Sequence, residues 1–237
     1  MSFQRRAYDM DLGRRDHTRW LGVHRVSSRL TLPTANLLAA WDARAGVTNV
    51  SGACSAWADQ SGNGWHASQG TAGSRPTITT TGGFASLQFD GTSDFLNIPS
   101  ISASAGTKTL YCVQSQTTFG GYRAMFDSAT GRLFCGALLS GNLGLFDGAD
   151  RPSGISAAVG LSRVTFTCGG GASRVWRGAT AGTAAGWGAD SAIGGTTRIG
   201  GGSAGGLNFG GHILALFIYN DARNTAVENY ITQEWGV

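Results

Sequence analysis

Short apolar runs alternate with clusters of Gly, Asn, Asp and Ser along most of this chain, at the spacing of strands joined by tight turns. Strands are predicted at Leu37–Asp42, Ala85–Phe89, Phe95–Ile98, Thr107–Ser115, Tyr122–Asp127 and Arg132–Leu138. Others are predicted at Leu143–Phe146, Ser162–Cys168, Arg174–Arg177, Thr196–Ile199 and His212–Tyr219. Val164 and Phe166 alternate with Arg163, Thr165 and Thr167, the pattern of a strand with one wet face. Thr109, Tyr111 and Val113 interleave with Leu110, Cys112 and Gln114, which predicts a strand buried on both faces. Helical periodicity enters near the end, where Val227, Ile231 and Trp235 form one apolar stripe with Tyr230 beside it. Thr225 and Glu228 have capping-box spacing at its start. So short a helix persists only by packing on a sheet.

Composition agrees with this pattern. The chain has 237 residues, of which 38 are Gly; 41% are hydrophobic and only 14% charged. That apolar fraction supports a core, and Gly supplies the φ > 0 that many turns need. The expected fold is all-β, a two-sheet antiparallel sandwich over residues 33–237 with one short C-terminal helix. Residues 1–32 read as an extended arm. Arg5, Arg6, Arg14, Arg15, Arg19, Arg25 and Arg29 outnumber Asp9, Asp11 and Asp16 there, so the arm carries the whole net charge of +4. The arm is expected to dock on a partner within an assembly. Lys108 is the only lysine, and no basic patch with interleaved aromatics occurs in the body, so nucleic acid is not an expected partner. The first positive cluster is followed by no apolar stretch, and no run of about 18 apolar residues occurs. Synthesis in a cytoplasm and no membrane partner are therefore expected. Cys54, Cys112, Cys135 and Cys168 are widely spaced and read as buried thiols, with disulfides open to them only outside the cell.

Three ordered blocks carry a family resemblance. The first is LLAAWDA followed by Trp57-Ala58-Asp59-Gln60-Ser61-Gly62-Asn63-Gly64, and then Arg75-Pro76-Thr77. The second is Leu87-Gln88-Phe89-Asp90-Gly91 with Asp94-Phe95-Leu96. The third is Gly211 to Tyr219, then the helix and Trp235-Gly236-Val237. Together they resemble bacterial and phage laminin G-like jelly-roll domains of the concanavalin A-like lectin/glucanase superfamily, from Asn36 to Val237. One departure is Ala215, where many relatives carry Glu. The resemblance implies a jelly roll in which Trp41, Trp57 and Phe89 are core. It also raises Ca²⁺ as a ligand of Asp90 and Asp94, although their loop lacks a terminal bidentate Glu and suits turn capping better. In the Asp59 to Gly64 segment, Asp59 is expected to accept a backbone N–H two residues on.

Glucanases of that superfamily pair two Glu on one strand. Here the body holds only Glu228 and Glu234, both on the helix, and His66 and His212 stand without a nucleophile motif. No enzyme activity is expected. A sugar site needs an aromatic face beside planar polar groups, and the candidates are Trp187, Trp65, Tyr122 with Arg123, and Arg174 with Trp176. The expected role is a virion component, decoration or tail-associated, assembled through the arm onto other virion proteins in repeated copies and able to bind a host glycan. The alternative is a carbohydrate-binding module of a bacterial surface or exported protein.

Overall fold

The computed structural model describes residues 30–99, 101–130, 133–146, 149–169, 173–184, 186 and 192–237. The Arg-rich arm residues, from Arg5 to Arg29, lie outside them, as does Trp187. One compact unit spans Leu32–Val237.

Its strands in chain order begin with β1 (Leu37–Asp42), β2 (Val47–Val50), β3 (Ala53–Trp57), β4 (Ala67–Ser68), β5 (Thr77–Thr81) and β6 (Phe84–Asp90). They continue with β7 (Leu96–Asn97), β8 (Lys108–Gln116), β9 (Arg123–Ser128), β10 (Leu133–Ala137), β11 (Asn142–Phe146) and β12 (Asp150–Ser156). The last are β13 (Ser162–Cys168), β14 (Arg174–Arg177), β15 (Thr180–Ala181), β16 (Thr197–Ile199) and β17 (Gly210–Tyr219), followed by helix α1 (Thr225–Trp235). Each of the eleven strands expected from the pattern coincides with one of these to within two residues at either end. Those not foreseen are β2 to β5, β12 and β15. The Thr-rich β5 offers no apolar alternation. The β12 pattern is broken by Pro152, tolerated because this strand pairs with β11 alone.

Strand pairing is antiparallel throughout. In the first sheet β17 lies between β8 on one side and β6 and β1 on the other, and β8 leads through β13 to β14 and β15. In the second the order is β4, β7, β16, β9, β10, β11, β12. Strand β3 joins the two by pairing with β4 and β5. Two-residue turns close the β2–β3 and β5–β6 hairpins, with Ser51-Gly52 and Gly82-Gly83 all at positive φ, the twist that matches flanking strands.

The main core lies between the sheets. Leu87, Phe89, Cys112 and Phe166 from one meet Phe126, Cys135, Leu145 and Ile199 from the other, and Trp41 and Trp57 are fully buried with them. All four cysteines are buried free thiols, and burial pushes Cys54 up to about 12. A second apolar cluster lies on the outer face of the first sheet, where Val227, Ile231 and Trp235 of α1 cover Tyr111, Ala215 and Phe217. This explains the doubly buried β8, and it leaves Ala215 no exposure at all. The helix differs from expectation at its cap. Asn224, not Thr225, is the N-cap, accepting the Ala226 N–H at 2.8 Å. Glu228 turns instead to Arg223, which it binds through both oxygens at 2.7 Å, and to Arg163 at 3.3 Å.

Candidate functional site

Among the described residues no α-helix covers the outer face of the second sheet, and one cross-strand row on it is organised for contact. Arg198 of β16 lies opposite Asp127 of β9, Asp127 opposite Phe134 of β10, Phe134 opposite Phe146 of β11, and Phe146 opposite Asp150 of β12. Side chains opposite one another in a ladder share a face. Two phenyl rings are thus flanked by a carboxylate at each end. Three strand spacings of about 4.8 Å put the two Asp Cα atoms about 14 Å apart.

Tyr122 packs across the row. Its ring meets those of Phe134 and Phe146 edge-on, at centroid distances of 6.0 and 6.1 Å. Its hydroxyl donates to Asp150 Oδ1 at 2.8 Å, and this bond raises the phenol above its ordinary titration range. A cavity of about 160 Å³ opens between Tyr122, Asp127, Phe134, Phe146 and Leu207. Asp127 is 6% exposed, and one of its oxygens, Oδ2, accepts the Ser203 N–H at 2.6 Å. Phe134 is buried, while Tyr122 and Phe146 are half-exposed and Leu207 exposed.

A bulge produces this arrangement. Between β9 and β10 the register shifts, so that Cys135 pairs with Phe126 but Gly136 with Ala124. Met125 is the extra residue, and Met125 and Phe126 both enter the core. Tyr122 and Ala124 are thereby turned to the outer face with Asp127. Gly136 permits the bulge: a Cβ there would lie within overlap distance of the Arg123 carbonyl oxygen and carbon.

The residues singled out from the sequence scatter over the molecule. Of those among the described residues, Tyr122 alone lines the cavity. Arg123 is spent on structure, its guanidinium donating to the carbonyls of Gly120, Gly91 and Asn208. Trp65 is not an exposed platform; it packs half-buried against the main core, and its backbone N–H donates to Asp59 Oδ2 at 3.0 Å. Asp59 also accepts from Ser61 N as expected, at 2.9 Å, while His66 proves exposed with Nδ1 accepting the Asp59 N–H. Arg174 and Trp176 lie on β14 of the other sheet, where Arg174 and Arg223 flank the indole at 5.9 and 4.9 Å.

Asp90 and Asp94 organise a loop. Asp90 accepts the N–H groups of Thr92, Ser93 and Asp94 and the hydroxyls of Thr92 and Ser93. Burial opposes its ionisation, but these bonds outweigh it and hold the carboxyl well below the usual range. Asp94 is buried beside it and accepts the Asp90 N–H, and burial and that neighbouring charge raise it to about 6. A carboxylate already saturated by five donors does not fit a calcium ligand. Among the described residues no three His, Cys, Asp or Glu side chains gather in one place. A second cavity, of about 310 Å³, is lined among the described residues by Asn97, Ile98, Pro99, Gly195, Thr196 and Thr197, none of them aromatic or charged.

Phe134, Phe146, Asp127, Asp150 and Leu207 were not foreseen as site residues. Alternation gives the outward positions within each strand, but nothing local gives the register that aligns four strands.

Comparison with solved structures shows that the same fold occurs elsewhere. The chain is similar to domain 4 of AbnA, a GH43 extracellular arabinanase from Geobacillus stearothermophilus solved in complex with arabinotriose. The TM-score is 0.62 at 15% identity, over 83% of this chain and 98% of that domain. It is also similar to Trypanosoma rangeli sialidase in complex with the inhibitor DANA, with a TM-score of 0.57 at 13% identity over 86% of this chain. The chain spans about a third, 34%, of the sialidase's length. At such identities the likeness is one of fold. No protein-family model matches the sequence, and no curated protein matches it. No described helix is long and apolar enough to cross a membrane.

Proposed function

We propose that this protein is a non-catalytic carbohydrate-binding sandwich of a surface or exported protein, and that it binds its ligand on the Tyr122–Phe134–Phe146 pocket. The observation that carries this is the cross-strand row in which two phenyl rings lie between Asp127 and Asp150. Sugar rings offer apolar C–H faces and a rim of hydroxyls. A half-open aromatic pocket with carboxylates at its margin complements both. The laminin G-like sequence blocks and the similarity to a domain solved with arabinotriose favour the same reading.

Hydrolysis is not proposed. Paired glycosidase carboxylates lie within about 5–10 Å of each other, whereas Asp127 and Asp150 stand three strands apart. The virion role rested in part on the arm, of which residues 1–29 lie outside the described residues, and none of the comparisons adds support to it.

A glycan array followed by calorimetry tests the reading. Wild-type protein is expected to bind, and Phe146→Ala to bind at least tenfold more weakly with its melting temperature little changed. A wild type that binds no glycan overturns it.

A further inference from the structure

We infer that the pocket selects a single uncharged sugar residue and rejects acidic sugars; this rests on the glycan-binding reading above. The polar groups that the described residues place at the pocket are acceptors. Asp127 Oδ2 takes the Ser203 N–H, and its other oxygen receives no hydrogen bond from a described residue. Asp150 receives the Tyr122 hydroxyl on Oδ1 alone. Because Tyr122 gives its proton to Asp150, its oxygen also faces a ligand as an acceptor.

The neighbouring cations do not reverse this. Arg198 stands beside Asp127 in the row, but its Nε donates to Asn97 Oδ1 at 3.1 Å, one terminal nitrogen donates to the Gly202 carbonyl at 2.8 Å, and its guanidinium lies 4.1 Å over the Phe95 ring. Arg123 is held by three carbonyls. Arg151 is placed opposite Leu145, a core residue, and so belongs to the other face of β12. A ligand must therefore bring donors, as hydroxyl groups do. A carboxylate or sulfate would bring acceptors and a like charge next to the buried Asp127 carboxylate and the exposed one of Asp150, and the juxtaposition with the buried charge is the costly one.

Volume sets the second limit. Pockets that enclose drug-sized ligands span about 300–1,000 Å³. At about 160 Å³ this one holds one ring. Recognition is then of one residue, at a chain end or in a branch, with further residues left in solvent.

The test is titration calorimetry of the full chain with methyl glycosides of neutral pentoses and hexoses, and with the matching uronates. Neutral glycosides are expected to bind at least tenfold more tightly than their uronates. Asp150→Asn, which alters an exposed side chain, should narrow that gap at least threefold. Adding a second and third neutral residue should strengthen binding by less than about threefold. Uronates that bind as tightly as neutral glycosides, with binding lost in Phe146→Ala, overturn the selectivity and leave the glycan-binding reading standing. Absence of binding by every glycoside and oligosaccharide overturns both.

Discussion

Tyr122 and Asp127 face the same side of the second sheet although five positions separate them, a spacing that regular alternation assigns to opposite faces. The Met125 bulge between β9 and β10 makes the difference. Without it Tyr122 would turn toward the core while Asp127 stayed outside. The candidate site thus depends on a backbone irregularity at Met125, and the irregularity depends on Gly136.

Gly136→Ala is accordingly expected to damage the site. The new methyl overlaps the Arg123 carbonyl, so the bulge must shift or the strands separate. Overpacking of this kind costs about 1–3 kcal/mol. Urea denaturation should record that loss, and glycan affinity should fall at least tenfold. Met125→Leu, which keeps the bulge and the core volume, should change binding little.

On the opposite sheet, Arg163 and Glu228 form an ion pair whose side chains are 7% and 8% exposed. Burial lowers the Arg163 pKa, and Glu228 opposes that effect. Replacing one partner leaves a buried charge uncompensated, which costs about 3–5 kcal/mol. Glu228→Gln should therefore destabilise the protein by roughly 3 kcal/mol in urea denaturation and leave binding at the distant pocket unchanged.

Asp94 gives the stability a pH dependence of unusual sign. Its carboxyl is raised to about 6 in the folded protein, against 3.8 for an ordinary Asp. The folded state then holds the proton more tightly than the unfolded chain. Its stabilising effect is fully present below about pH 4 and is lost as pH rises through 6. The neighbouring Asp90 is depressed, so its contribution is present above about pH 4 and is lost only below that. Asp94→Asn should flatten the decline between pH 4 and 6 in chemical denaturation curves, and Asp90→Asn, which removes the neighbouring charge that helps raise Asp94, should flatten it only in part.

Much of the fold was readable from local pattern. The doubly apolar run of β8 and the Val227–Ile231–Trp235 stripe each specify an element and the face it buries, whereas the alternation at Ser162–Cys168 gives the strand but not its surroundings: the face expected to be wet, with Arg163, Thr165 and Thr167, is buried. The Asp59 turn was legible because an Asx side chain bonds its own backbone two residues on. The site was not legible in the same way. Asp127, Phe134, Phe146 and Asp150 are ordinary strand residues one by one. They become a row only through the pairing register of four strands and a bulge whose cause, Gly136, looks like any other glycine of this Gly-rich chain. Exposed Trp pointed first to Trp187 and Trp65 and then to Trp176; Trp187 lies outside the described residues, Trp65 leans on the core, and Trp176 sits between two arginines away from the row.

Titration of ¹⁵N-labelled protein with a bound neutral glycan, followed by amide chemical shifts, tests the central claim most directly. The account predicts that the largest shifts fall on Tyr122 to Asp127, Phe134 to Gly136, Gly144 to Phe146, Asp150 and Ser203 to Leu207. Shifts centred on Arg174 and Trp176, or on the Asp90 loop, with the row unmoved would contradict it.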